Sequence, residues 1–229
     1  YHTDTLYFGR ESDRNADGRV TILYTPEVNR ATEPGAAGFV AGFFWPGDLV
    51  KLSEYQQLGI QCPQTNEQEV FYMLVPDPAG TINSNQRSVA VVRQNTRGTI
   101  AHEFQHMINQ GRRLLNPAVD SAETTWLNEA LSHIAEEVVG RAKRGFTDMQ
   151  KLTYADVNPT PQGSLDDYNA FFRQNLLRYR SWMQRPDTSS PTSDQAGRQL
   201  APRGAAWMLL RYASDFHSGG NMKTYLRRV

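Results

Sequence analysis

Three residues within five positions carry most of the chemistry this chain could do. They are His102, Glu103 and His106, in the run Thr99-Ile100-Ala101-His102-Glu103-Phe104-Gln105-His106-Met107-Ile108. On an α-helix, side chains four apart lie on one face, so both imidazoles can address a single ion. Glu103 falls beside that face, within reach of a water on the ion. Two neutral histidines would hold zinc and the carboxylate would take a proton from the activated water, which is metal-assisted hydrolysis. Ile100, Phe104 and Ile108 fall on roughly the opposite face and would anchor the helix in a core. The five-residue pattern also arises by coincidence, as an amphipathic helix with two solvated histidines.

A second helical segment weighs against coincidence. It runs Thr125-Trp126-Leu127-Asn128-Glu129-Ala130-Leu131-Ser132-His133-Ile134-Ala135-Glu136-Glu137 and offers a glutamate, Glu129, 23 positions after His106. A catalytic zinc takes three protein ligands and leaves a fourth position open, and two histidines with a glutamate form one such set. His133 and Glu136 share the face of Glu129 and are alternative ligands. The apolar stripe of this helix is Leu127, Ala130, Leu131, Ile134 and Val138.

Together these two segments resemble the hyicolysin-type neutral metalloproteases of the gluzincin group, and more distantly thermolysin and the zinc aminopeptidases. The resemblance extends upstream to Phe71-Tyr72-Met73-Leu74-Val75-Pro76-Asp77-Pro78 and downstream to Arg203-Gly204-Ala205-Ala206-Trp207. It implies a secreted zinc endopeptidase acting on proteins or peptides, with Glu129 as the third ligand in its Asn-Glu-Ala-x-Ser context. It also implies that one edge strand of the sheet pairs with the substrate backbone. Two departures stand out. Thermolysin relatives carry, four residues after the ligand glutamate, an aspartate that orients a metal-binding histidine. Here that position is His133, so Glu136 or Glu137 must supply the carboxylate or the arrangement differs. The relatives also use a histidine or tyrosine as oxyanion donor ahead of a later helix. The matching stretch, Leu200-Ala201-Pro202-Arg203-Gly204, has neither, which leaves Arg203 as the nearest catalytic candidate, with Tyr168, Tyr154 and His217 in reserve.

Bulk properties bound the alternatives. At 229 residues the chain can bury one sizeable core, or two lobes facing a cleft. Its 24 Lys and Arg balance 24 Asp and Glu, so no bulk charge favours nucleic acid or an anionic membrane. No apolar run approaches a membrane span. One cysteine, Cys62, excludes an intrachain disulfide and any cysteine-based zinc site. A monomeric, processed or trimmed catalytic domain is expected. A non-proteolytic zinc-binding or protein- or glycan-recognition module is the alternative, disfavoured by an intact Glu103, since a structural zinc has no use for a general base.

The elements that must position these groups read as an α+β zincin-like fold over residues 1–229. A strand-rich lobe of about residues 1–115 and a mainly helical lobe of about 116–229 flank the cleft. Strands are expected at Thr5–Phe8, Val20–Tyr24, Phe39–Trp45, Val70–Val75 and Ser88–Val92, with the phenylalanine-rich third run read as core rather than pocket. Asp13, Asn15 and Asp17 precede Gly18 in the order that opens a calcium loop, yet Tyr24 stands where the bidentate glutamate would be. A plain turn asks for the same residues. The active-site helix should start at Asn95 or Thr96 and end near Gly111. The glutamate helix should start from a capping box of Asp120 and Glu123. Asn116-Pro117 breaks the chain between the two. Ser164 to Asp167 should cap a further helix, Pro186 to Gly197 should form a loop, and Gly204 to Ala213 should pack as a small-residue helix under the site.

Overall fold

A computed structural model of the chain describes residues 1–61, 63–116, 118–119, 121–158, 162–193 and 199–229, with the side chains of 162–164 excepted. Cys62, Pro117, Asp120 and residues 194–198 of the expected loop lie outside these. The elements in chain order are α1 His2–Phe8, β1 Thr21–Tyr24, α2 Pro26–Arg30, β2 Gly42–Phe44, α3 Leu52–Gln57 and β3 Val70–Met73. The helices α4 Val89–Leu114, α5 Thr125–Arg144, α6 Tyr154–Val157, α7 Gln162–Phe171, α8 Arg173–Met183, α9 Leu200–His217 and α10 Met222–Leu226 follow. The fold is α+β, mostly helical, with a small sheet ordered β1-β3-β2. β1 runs parallel to β3 in the register Thr21 to Val70, and β2 runs antiparallel in the register Gly42 to Met73. β2 is therefore an edge strand.

The core forms where α4, α5 and α9 converge under β3. Phe104, Met107 and Ile108 of α4 meet Ala130, Leu131, Ile134 and Val138 of α5, Ala206, Trp207 and Leu210 of α9, and Phe71 and Met73 of β3. The apolar stripes expected on α4 and α5 are thus the faces that pack, and Leu127 and Ile100 complete them from half-buried positions. Gly204 lets α9 press against α8: a Cβ there would stand 2.2 Å from the Tyr179 nitrogen and 2.5 Å from the Arg178 carbonyl carbon. Gly42 does the same for β2, where a Cβ would meet Met73 Sδ and Tyr72 O at 2.7 Å and Thr99 Cγ2 at 2.9 Å.

Several local expectations fail, each because tertiary packing overrides propensity. Thr5–Phe8 lies in helix α1, burying Tyr7 and Phe8 rather than alternating. Ser88–Val92 is the start of α4, not a strand. Ser88 Oγ accepts from Val91 N as an N-cap, and Val92 packs with Val28 and Leu74. The active-site helix thus begins six residues before Asn95 and runs past Gly111, which is buried against Ser12. Only Gly42–Phe44 of the aromatic run is strand, and Phe43 and Trp45 are exposed. The glutamate helix is preceded by Thr124 with no side-chain cap, while Glu123 pairs with Arg113. Helix α7 begins at Gln162, ahead of Ser164, and a break at Phe172 starts α8. The first lobe is less strand-rich than expected, because its regular elements include α1, α2, α3 and most of α4.

The Asp13–Gly18 segment is a turn whose side chains serve their own backbone. Asp13 Oδ1 accepts from Gly18 N at 2.9 Å, Asn15 Oδ1 from Asp17 N at 3.2 Å and Asp17 Oδ1 from Arg19 N at 2.8 Å. These are the bonds a plain turn makes of this residue order. Among the described residues, no helix is long and apolar enough to cross a membrane.

Candidate metal centre and active site

Helices α4 and α5 cross so that His102, His106 and Glu129 converge at one end of a cavity of about 550 Å³. Donor atoms of the three lie within 4.8 Å of one another. The two Nε2 atoms face each other at 3.1 Å. Each ring is turned to present that atom by a partner on its Nδ1. His102 Nδ1 bonds Glu136 Oε1 at 2.8 Å, and His106 Nδ1 bonds Asn128 Oδ1 and Ser132 Oγ, each at 3.0 Å. Nδ1 thereby carries the proton and Nε2 points its lone pair at the ion position. Glu129 Oε2 is buried, 3.6 Å from His102 Nε2 and 2.9 Å from Arg203 Nη1. Two inward imidazoles and a buried carboxylate oxygen fit a zinc ion.

Electrostatics agree with that fit. Burial opposes a charge on His102, yet hydrogen bonds to Glu129 and Glu136 outweigh it and raise the imidazole to about 10. Burial, reinforced by the charge of His102, drops His106 to about 4. Burial would raise Glu129 and Glu136, but their histidine neighbours hold both carboxyls well below the usual range. Without an ion, a proton on His102 therefore bridges toward His106, standing where a cation is wanted.

Glu103 lines the same cavity. Its Oε2 accepts from the backbone N–H of Phe44, in β2, at 3.0 Å. Burial raises its carboxyl to about 7, with the charge of His102 pulling the other way. A carboxylate poised near neutrality is what a general base needs.

His133 and Glu136, the alternative ligands, form a second group with His102, but their atoms are already engaged. Glu136 Oε1 accepts from His102 and from His133 Nδ1 at 3.0 Å, and its Oε2 accepts from Asn175 Nδ2 at 2.9 Å. Glu136, not Glu137, thus stands where a carboxylate would orient a metal-binding histidine. Glu137 turns the other way into the core, bonding Arg141 Nε at 2.7 Å and Trp207 Nε1 at 3.0 Å.

Arg203 lines the cavity and pairs with Glu129 Oε2 at 2.9 Å. None of its reserves does: Tyr154 and Tyr168 stack edge-on beside Phe171 and Phe172, and His217 is exposed at the end of α9. The reading of Phe39–Trp45 as core holds for Phe39, Val40, Ala41 and Phe44, which pack against core residues, but Phe39 through Phe44 also line the cavity. Sequence reasoning missed three contributors. Asn128 hides as the residue before a ligand candidate, Asn175 sits two helices away, and nothing in its neighbours marks Arg178, which lines the cavity.

No protein-family model matches the chain. It is similar to the neutral metalloprotease ShpI of Staphylococcus hyicus, with 31% identity over 131 residues, covering 57% of this chain and 26% of that protein. The chain thus spans about a quarter of the length of that relative. The similarity and the His and Glu donor set together support a metallopeptidase.

Proposed function

We propose that this chain is a zinc-dependent endopeptidase in which His102, His106 and Glu129 hold the ion and Glu103 is the general base. The observation that carries it is the convergence of two Nε2 atoms and a buried Glu129 oxygen beside a carboxyl raised to about 7. When bound there, zinc lowers the pKa of a coordinated water and polarises the scissile carbonyl. Glu103 takes the water's proton and passes it to the leaving amine, held in place by the Phe44 N–H. The oxyanion needs a donor as the carbonyl is attacked, and Arg203 is the guanidinium placed at that wall. Strand β2 has a free edge along the cavity, suited to pairing with an extended peptide backbone. In this reading the enzyme acts outside the cell, as a monomer, on proteins or peptides.

The test compares the parent with Glu103→Gln, both loaded with one zinc per chain, on unfolded casein. Cleavage by the parent alone, with new termini inside the casein chain, is expected. Equal cleavage by both would remove Glu103 from the mechanism, and no cleavage by either would reject the peptidase.

A further inference from the structure

Most of the buried or half-buried arginines of this protein are paired with carboxylates. Arg14 pairs with Glu54, Arg97 with Asp167, Arg113 with Glu123, Arg141 with Glu137, and Arg211 with Glu137 and Asp215. Arg178, which lines the cavity, is not: among the described residues, no carboxylate lies within 4.0 Å of it. Its protein acceptor is a neutral ring, with Nη1 donating to His133 Nε2 at 3.1 Å. Its Nε is buried with no partner. The neighbouring carboxylate, Glu136, is already saturated by His102, His133 and Asn175.

A guanidinium taken out of water without an anion is costly, and such groups are kept where a ligand supplies the anion. Arg178 lines the same cavity as Arg203 and the residues that hold the candidate metal site. Gly204, which follows Arg203, has no Cβ and so lets α9 touch the backbone of Arg178. Burial presses on the Arg178 cation, and the charge of Glu136, close by but beyond ion-pair distance, offsets this only in part.

We propose that Arg178 is a specificity-determining residue that binds a substrate carboxylate within two residues of the cleaved bond. The inference rests on the peptidase reading above. A carboxylate suits the planar fork of a guanidinium better than any neutral side chain does. It could come from an aspartate or glutamate side chain or from a free chain end.

The experiment uses zinc-loaded protein and one peptide sequence bearing Glu or Gln next to the cut bond, each with a free or amidated C-terminus. For the parent, kcat/KM should favour the carboxylate member by about tenfold or more, the worth of a charge-assisted hydrogen bond. A Glu preference with amidated peptides identifies a side chain, and a preference confined to free ends identifies the terminus. Either preference should collapse to within about twofold in Arg178→Met, whatever happens to absolute rates. Should Arg178→Met fail to fold, Arg178→Lys decides, since a point charge should keep the sign of the preference and shrink its size. A parent with no preference, or a preference undiminished in the variants, overturns the proposal while leaving the peptidase intact. A zinc-loaded parent that cleaves no peptide and no casein rejects the peptidase reading itself.

Discussion

Glu136 Oε1 lies 2.8 Å from His102 Nδ1, while its neighbour Glu137 faces the opposite side of α5 and meets Arg141 and Arg211. Adjacent glutamates thus do separate work, and substitutions should separate it. Glu136→Gln is expected to weaken zinc binding by about ten- to a hundredfold with little change in folding of the zinc-loaded protein, because outer-sphere partners act on ligand orientation. Glu137→Gln should leave zinc affinity near that of the parent and cost about 3 kcal/mol of stability, having stripped buried Arg141 of its counter-charge and Arg211 of one of two. Chelator competition and denaturant melts on both variants read the two quantities. Zinc affinity falling equally in both would erase the distinction.

Zinc binding should release a proton. His102 retains its proton up to about 10 in the ion-free protein and must lose it from Nε2 to become a ligand. The sign follows directly: raising pH makes the ligand available, so affinity rises with pH. Between about pH 7 and 9 the zinc association constant should climb about tenfold per unit, as for one proton displaced. Isothermal titration in buffers of different ionisation enthalpy counts the protons, and a pH-independent affinity above neutrality would contradict the assignment.

Gly204→Ala offers a helix-favouring residue at a helical position, where it would ordinarily be neutral or better. Here its methyl meets the backbone of Tyr179 and Arg178 at 2.2–2.6 Å. Destabilisation of about 2 kcal/mol is expected from overpacking, since backbone cannot step aside as a side chain can. A thermal melt equal to the parent's would show that α8 and α9 separate without strain.

Ser88→Ala tests where the active-site helix starts. Losing the Ser88 Oγ bond to Val91 N should cost about 1 kcal/mol in a urea melt. Asn95→Ala and Thr96→Ala, at the start expected from sequence, should cost less, as both side chains bond carbonyls one turn back within the helix.

What was legible in the sequence was periodic. His102, Glu103, His106 and Glu129 could be brought together on paper because two amphipathic helices have fixed geometry and their apolar stripes fix which faces turn inward. The same logic failed for Ser88–Val92, where β-branched residues read as a strand until Val28 and Leu74 claim Val92 for a helix. It was half right for Phe39–Phe44, which packs on the core and also lines the cavity, because composition does not say which side of an apolar segment is left open. Glu136 could be narrowed to a pair of glutamates but not chosen, since a rotation of about 100° per residue places both near the boundary of the face. Arg178 and Asn175 reach the site through the packing of α8, a relationship that no local pattern encodes.

Strand β2 is clamped between β3 and α4 at Gly42, and two residues later its Phe44 amide holds Glu103. Under the proposed peptidase reading, the strand would work as a measuring edge fastened to the general base. A peptide laid along it could advance only by whole two-residue steps if its side chains are to keep their faces. Every bond presented to Glu103 would then be indexed from the strand itself, and loosening that one edge would blur the position of the cut as well as slow it.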